Sequence, residues 1–301
     1  MLDPRRLRLL VTLESLGTVR AVAAAVSMSP SAVSQQLGVL ETESGIKLLE
    51  RHGRSVRLTP AGHALAASGV EILDRIASAE EELRAWQGAA GVVRVGTFTS
   101  ALTAFVIAAA GRVEAAHEGL RVSLSELPPE LLVQSLARGE VDLAVVGDYG
   151  DGSSPYPAEL DLTPLVTDRL LAILPAGHPL AGEVVTFEQL RGERWLLDGT
   201  DLERHVVAQC RRAGLEPAVA GRIASHVPLM QAVAVGLGVT VLPSLAVEPR
   251  PAGVVSCPLE PASGRNLAVL VRPEAARRDS IVVAREAIVA TAEEKLARLR
   301  A

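Results

Sequence analysis

From Gly17 to Arg57 the chain runs through an alanine-lined helical pattern, a short break, a second helical pattern opening SPSAVSQQL, and an arginine-rich hairpin pattern, ERHGRSVRLT. No other segment narrows the fold as far. Two small helices at a sharp turn with a basic hairpin behind them leave few architectures, and they point toward DNA recognition.

Within VRAVAAAV, Ala21, Val22, Ala25 and Val26 recur at helical spacing, and their small side chains let another helix approach closely. Ser27, Met28 and Ser29 interrupt the run. Ser29 is a natural N-cap, and Pro30 at the first helical position forfeits no bond that the helix would use. From Pro30 to Glu43, the spacing of Val33, Leu37 and Leu40 predicts a buried stripe that leaves Ser31, Ser34, Gln35 and Gln36 outward. Glutamine suits the donor and acceptor pair on adenine and serine is permissive, so Ser29 to Gln36 is the expected base-reading face. An ordinary helical hairpin with a solvated face would share this pattern. The next segment favours the reader: Gly45 is a plausible C-cap, and His52-Gly53-Arg54 is a turn signal between short apolar stretches. This predicts a wing carrying Arg51, Arg54 and Arg57 toward phosphates or a minor groove.

The overall charge of −5 looks wrong for such a role until it is divided. Residues 1–59 hold eight Lys or Arg against five Asp or Glu, so this segment is at +3 and the remainder at −8. With 301 residues and 49% hydrophobic content the chain has material for two or more cores, and with 2% aromatics those cores must be aliphatic. No stretch has the form of a signal peptide or the length of a membrane span, so the expected residence is cytoplasmic and nucleoid-associated. Cys210 and Cys257 have no metal-ligand companions and read as reduced thiols; no metal site is expected.

After Thr59-Pro60, Leu65, Ile72, Ile76, Ala79, Leu83 and Trp86 follow a heptad spacing, with Asp74, Arg75, Glu80, Glu81, Glu82 and Arg84 between them. A helix with such a seam is expected to pair with a second copy, although a single helix packed on its own domain is the simpler alternative. Beyond a small-residue break at Gln87 to Gly91, short apolar runs (VVRVG, RVSLSEL, VDLAVVG, LLAIL, WLLD, VTVLP, LAVLV) alternate with helical stretches. This predicts α/β architecture with mainly parallel sheets. Thr97, Thr99 and Ser100 fall where a strand feeds a helix, a place that favours anionic ligands, though plain N-capping accounts for the same residues.

The segments SMSPSAVSQQLGVLE and GIKLLERHGRSVRLTPAG resemble the winged helix-turn-helix of LysR-type transcriptional regulators, and a more diffuse resemblance extends along the chain. Two departures stand out: Pro30-Ser31 where the family often has Gln-Pro, and Leu49 where a phenylalanine is usual. The resemblance implies α/β architecture with an N-terminal all-α winged helix-turn-helix domain (1–59), a long linker and dimerisation helix (60–88), and a two-lobed effector domain like periplasmic binding proteins (91–301). Lobe one would take residues 91–166 plus 265–301, and lobe two residues 167–264, with crossings near Thr163 to Arg169 and Gly264 to Leu267. It also implies a small-molecule effector, expected to be anionic, between the lobes at Thr97, Thr99, Ser100, Asp198, Gly199, Ser225 and His226, with no cofactor. Arg169 and Arg222 are candidates to balance an acidic effector, or else plain surface charges. The implied partners are a promoter's interrupted inverted repeat in double-stranded DNA, further copies of the chain as a dimer or dimer of dimers, and RNA polymerase; no membrane is implied. The sequence lacks GxSxG, HExxH, GxxxxGK and GxGxxG motifs, and no catalytic residues are assigned.

Overall fold

The computed structural model describes residues 2–52, 55–86, 91–150 and 155–300. Helix α1 (Pro4–Leu16) starts where the Asp3 carboxylate accepts from Arg5 N, and stops at Gly17 in the left-handed region. Helix α2 (Val19–Ala25) is capped by Thr18, and α3 (Pro30–Ser44) by Ser29 with Pro30 in its first turn. Their contact face is Leu7, Leu10, Leu13, Val22, Val33, Leu37 and Leu40, all 0–1% exposed. Ala25, expected on this face, is exposed and Ala23 is buried in its place, because only Val22 and Ala23 of this short helix reach the neighbouring core. Strands β1 (Leu49–His52) and β2 (Ser55–Leu58) form an antiparallel hairpin with Leu49 opposite Leu58.

Helix α4 (Pro60–Trp86) has 27 residues and is therefore about 40 Å long. Its second turn passes so close to the preceding loop that a Cβ on Gly62 would lie 2.2 Å from the Leu48 carbonyl oxygen, which requires glycine. One face, with Ala66 and Val70, packs on α1. The heptad residues divide: Leu65 packs on the same core, whereas Ile72 and Leu83 are 39% and 68% exposed and Ala79 is also exposed. Ile76 is half-buried, and the Trp86 side chain lies outside the described residues.

The remainder forms two α/β lobes with separate cores. In the first, β3 (Val92–Thr97) leads into α5 (Thr99–Ala101), a π-helical turn (Leu102–Val106) and α6 (Ile107–Ala116). Then follow β4 (Arg121–Glu126), α7 (Pro129–Ala137), β5 (Leu143–Asp148) and β6 (Asp161–Pro164). The chain crosses into the second lobe as β7 (Asp168–Pro175), continuing through β8 (Val185–Thr186), β9 (Arg194–Leu197), α8 (Asp201–Arg212), β10 (Ala218–Arg222), α9 (His226–Ala234), β11 (Thr240–Pro243) and β12 (Val254–Glu260). It returns as β13 (Gly264–Val271) and ends in α10 (Asp279–Arg300), which packs on α6.

The sheets are mixed, which corrects the mainly parallel expectation. Parallel pairing joins β3 to β4 and β5, β9 to β10, and β8 to β12. Antiparallel pairing joins β13 to β5, β6 and β7, and β7 to β11 and β12. The physical reason is the route of the chain: β13 enters lobe one from the other lobe without the helical crossover that parallel neighbours need. At the crossing, Arg265 faces Asp168 and Gly264 faces Arg169, and a Cβ on Gly264 would stand 2.8 Å from the Asp168 carbonyl oxygen. The lobes therefore touch through backbone at a point where no side chain fits.

Immediately after β13, Arg272 clasps the linker helix to lobe one. Its Nη2 donates to Asp74 Oδ1 at 3.0 Å, its Nε to Asp74 Oδ2, and its Nη1 to the carbonyls of Leu136 and Val141. Neighbouring Asp142, 1% exposed, accepts from Arg94 Nε and Nη2 at 3.0 and 2.9 Å and pairs with Arg278 at 3.4 Å. Burial pushes the Asp142 pKa up, but the hydrogen bonds and charge of Arg94 outweigh it and hold the carboxyl below its ordinary range.

Candidate functional site

On α3, Ser29 Oγ accepts from Ala32 N at 3.2 Å and lies 3.0 Å from Ser31 Oγ, so the first turn is locked by its own hydroxyls. Pro30, Ser31, Ser34 and Gln35 are exposed. Gln36 departs from the expected outward face: it is half-buried, and its Oε1 accepts from Arg6 Nε at 2.9 Å. The cause is its position one turn after Val33 and one before Leu40, at the border of the buried stripe. The wing is tied to α3 by Glu41, whose Oε1 accepts from Leu48 N and Leu49 N at 2.9 and 3.1 Å. Arg57 on β2 is exposed; Arg51 lies on β1, its side chain outside the described residues, as is all of Arg54.

At the lobe junction the expected residues have unequal places. Phe98, not a hydroxyl residue, is the N-cap of α5 and makes no side-chain cap bond, so simple capping does not account for its neighbours. Exposed Thr99 donates to Glu126 Oε1 at 2.5 Å. Ser100, 4% exposed, accepts from Arg265 Nη2 at 2.6 Å. Thr97 shares the strand face of buried Val93 and Val95, and its Oγ1 is buried with no hydrogen-bond partner among the described residues. Thr97→Val keeps a β-branched side chain there and removes the orphan hydroxyl. It is expected to raise the unfolding free energy by about 1–3 kcal/mol, read as a higher urea midpoint at unchanged slope. A destabilised variant would show that the hydroxyl is satisfied in solution.

Arg265 organises the centre. Its Nε and Nη2 contact Asp168 Oδ2 at 3.0 and 2.8 Å, and its guanidinium lies 4.4 Å over the Phe98 ring. Asp168, 0% exposed, also accepts from Ser244 Oγ at 2.7 Å and Leu245 N at 3.2 Å. Burial drives the Tyr149 phenol up to about 12, with the Arg265 charge opposing, and the Tyr149 ring lies 5.1 Å from the His205 ring. His226 opens α9; burial first, and then the Arg265 charge, depress its pKa, while Asp198 and Asp168 oppose. Ser100, Arg265, Asp168, Asp198, Tyr149 and His226 thus share one electrostatic neighbourhood at the lobe junction.

On the second lobe, Asp198 spends its carboxylate locally, accepting from Thr200 N and Glu203 N at 3.1 Å and from Thr200 Oγ1 at 2.5 Å. Gly199 turns there with φ +77°. Ser225, exposed, precedes α9 without a side-chain cap bond. Of the arginines considered for charge balance, Arg169 is exposed and Arg222 is paired with Glu203 at 2.9 Å on the surface. The central cation is instead Arg265, which the sequence placed in the return crossing without assigning it a role. Cys210 and Cys257 are buried free thiols, and burial pushes Cys210 up to about 12, far from a reactive thiolate. Among the described residues no group of three or more His, Cys, Asp or Glu is placed to hold a metal ion, and no helix is long and apolar enough to cross a membrane.

A winged helix-turn-helix carried on a long helix beside a two-lobed α/β domain defines a transcriptional regulator. The chain belongs to the LysR family: residues 4–63 match the bacterial regulatory helix-turn-helix protein, lysR family, and residues 87–293 match the LysR substrate binding domain. It is 32% identical over 268 residues to a probable hydrogen peroxide-inducible genes activator from Streptomyces viridosporus, covering 86% of this chain and 84% of the relative. It is 26% identical over 249 residues to the transcriptional dual regulator GltC of Bacillus subtilis, covering 81% and 82%. The fold is that of full-length OxyR from Pseudomonas aeruginosa, with TM-score 0.74 at 24% identity over 96% of this chain and 98% of that one. These relatives are transcriptional regulators rather than enzymes, and membership implies DNA binding, oligomerisation and a small-molecule effector.

Proposed function

We propose that this protein is a sequence-specific regulator in which residues 1–59 read DNA, 60–88 pair the readers, and a small molecule between the lobes of 91–301 sets the output. The base-reading face is Ser29, Pro30, Ser31, Ser34 and Gln35, with Gln36 positioning α3 on α1 and with Arg51, Arg54 and Arg57 on phosphate. The exposed row of Ile72, Ala79 and Leu83, continued by Ile76 and Trp86, is the surface for a second copy. A twofold pair suits an interrupted inverted repeat in a promoter, and a dimer of dimers acting on RNA polymerase in the cytoplasm, on the nucleoid, follows the family's pattern.

The observation that carries the effector reading is the buried Arg265–Asp168 pair, which joins the lobes beside Ser100. A carboxylate entering there competes with Asp168 for the guanidinium, so its binding energy acts directly on the contact that sets the lobe arrangement. Thr97, Thr99, Asp198, Gly199, Ser225 and His226 complete the walls of this cleft. No cofactor takes part. Although one relative is named for hydrogen peroxide, a thiol switch is not proposed, because both cysteines are buried in the second-lobe core.

Ser225 supplies the test, because its side chain makes no cap bond. Small carboxylates that raise Tm of the full chain identify the effector. Ser225→Ala is then expected to weaken that effector about five- to tenfold, the loss of one hydrogen bond, with Tm of the free protein unchanged. Equal affinity in variant and parent removes Ser225 from the site, and the absence of any stabilising ligand would leave an effector-independent regulator.

A further inference from the structure

A cavity of about 610 Å³ lies away from the lobe cleft, where α1, α4 and the first lobe meet. Its acidic groups are engaged. Asp142 is held by Arg94 and Arg278, Asp74 by Arg272, and Glu140 accepts from Ser15 Oγ. Two of its cations are not: Arg8 on α1 and Arg138 at the end of α7 make no side-chain hydrogen bond or ion pair among the described residues. Arg138 is also half-buried. A single unpaired surface arginine is ordinary. Two from different domains, lining one cavity whose carboxylates already have partners, leave a positive surplus that desolvation makes costly and that an anion would relieve.

We propose that this junction cavity is a second ligand site, which takes a compact multivalent oxyanion gripped by Arg8 from the reader and Arg138 from lobe one. Such an anion bridges the two domains beside the Asp74–Arg272 clasp. It therefore biases the position of the reader without entering the lobe cleft, and DNA and anion affect each other's affinity reciprocally. The inference stands whether or not the cleft binds an effector.

The test is Tm of the full chain titrated with pyrophosphate or with succinate at constant ionic strength, chloride being the control. A saturable rise with either anion is expected, pyrophosphate marking a phosphate site and succinate a carboxylate site. Arg138→Gln and Arg8→Gln should each raise the half-saturating concentration at least tenfold, while Arg57→Gln leaves it unchanged. The proposal fails if neither anion acts beyond chloride or if Arg138→Gln responds like the parent. It fails equally if the shift follows Arg57→Gln, which places the anion on the DNA face, or Ser225→Ala alone, which places it in the cleft.

Discussion

Arg272→Met lowers the unfolding free energy by about 3–5 kcal/mol, the cost of breaking a buried ion pair from one side. The side chain is 7% exposed and serves Asp74 and the carbonyls of Leu136 and Val141 together. Methionine fills much of the same aliphatic volume, so the loss reports uncompensated polarity rather than a cavity. Asp142 retains Arg94 and Arg278, which confines the damage to Asp74 and the two carbonyls. In a domain of this size the change is roughly 10 °C in Tm. Asp74→Leu combined with Arg272→Met should recover most of it, because the stranded charge is then gone. Denaturation of the three variants decides the matter: a single-variant loss below about 1 kcal/mol would mean that water reaches the clasp and that α4 is not held to lobe one.

Gln35→Glu should reduce operator affinity on the order of a hundredfold or more while leaving stability within about 0.5 kcal/mol. Gln35 is exposed in the interior of α3, where glutamate is as good a helix former as glutamine. The substitution is nearly isosteric, so the effect comes from a carboxylate among phosphates and from the loss of the amide donor. Fluorescence anisotropy with DNA from the gene's own upstream region, against scrambled DNA across a salt series, provides the readout. Equal binding by parent and variant would take Gln35 out of the interface.

What the sequence made legible was local. Ser29-Pro30 and Gly45 delimit α3 because caps act within one turn, and Val33, Leu37 and Leu40 are buried as their spacing predicts. Gln36 was misplaced because polarity was read as exposure at the border of the stripe. In α4 the spacing predicted one seam, whereas Leu65 belongs to the reader's own core. Strand β10 escaped notice because its residues are mostly exposed, and β12 because Ser256 and Pro258 interrupt its apolar pattern. The centre of the cleft was the least legible part. Arg265 and Asp168 are 97 residues apart and meet only after both lobes have formed, and nothing in local periodicity distinguishes them from the many other charged residues. Thr97, Thr99 and Ser100 were placed correctly at the end of a strand, yet each makes a different contact.

The crossing of the lobes also bears on how such a protein diversifies. The second lobe leaves and re-enters the first at one rung, with Asp168 opposite Arg265 and Arg169 opposite Gly264. An excursion whose two ends are already neighbours can be cut out and replaced with little change in chain-closure entropy, since that cost grows only slowly with length. Recombination at this rung would therefore exchange half of the ligand specificity between relatives as one cassette, leaving the reader, its linker helix and the Arg272 anchor in place.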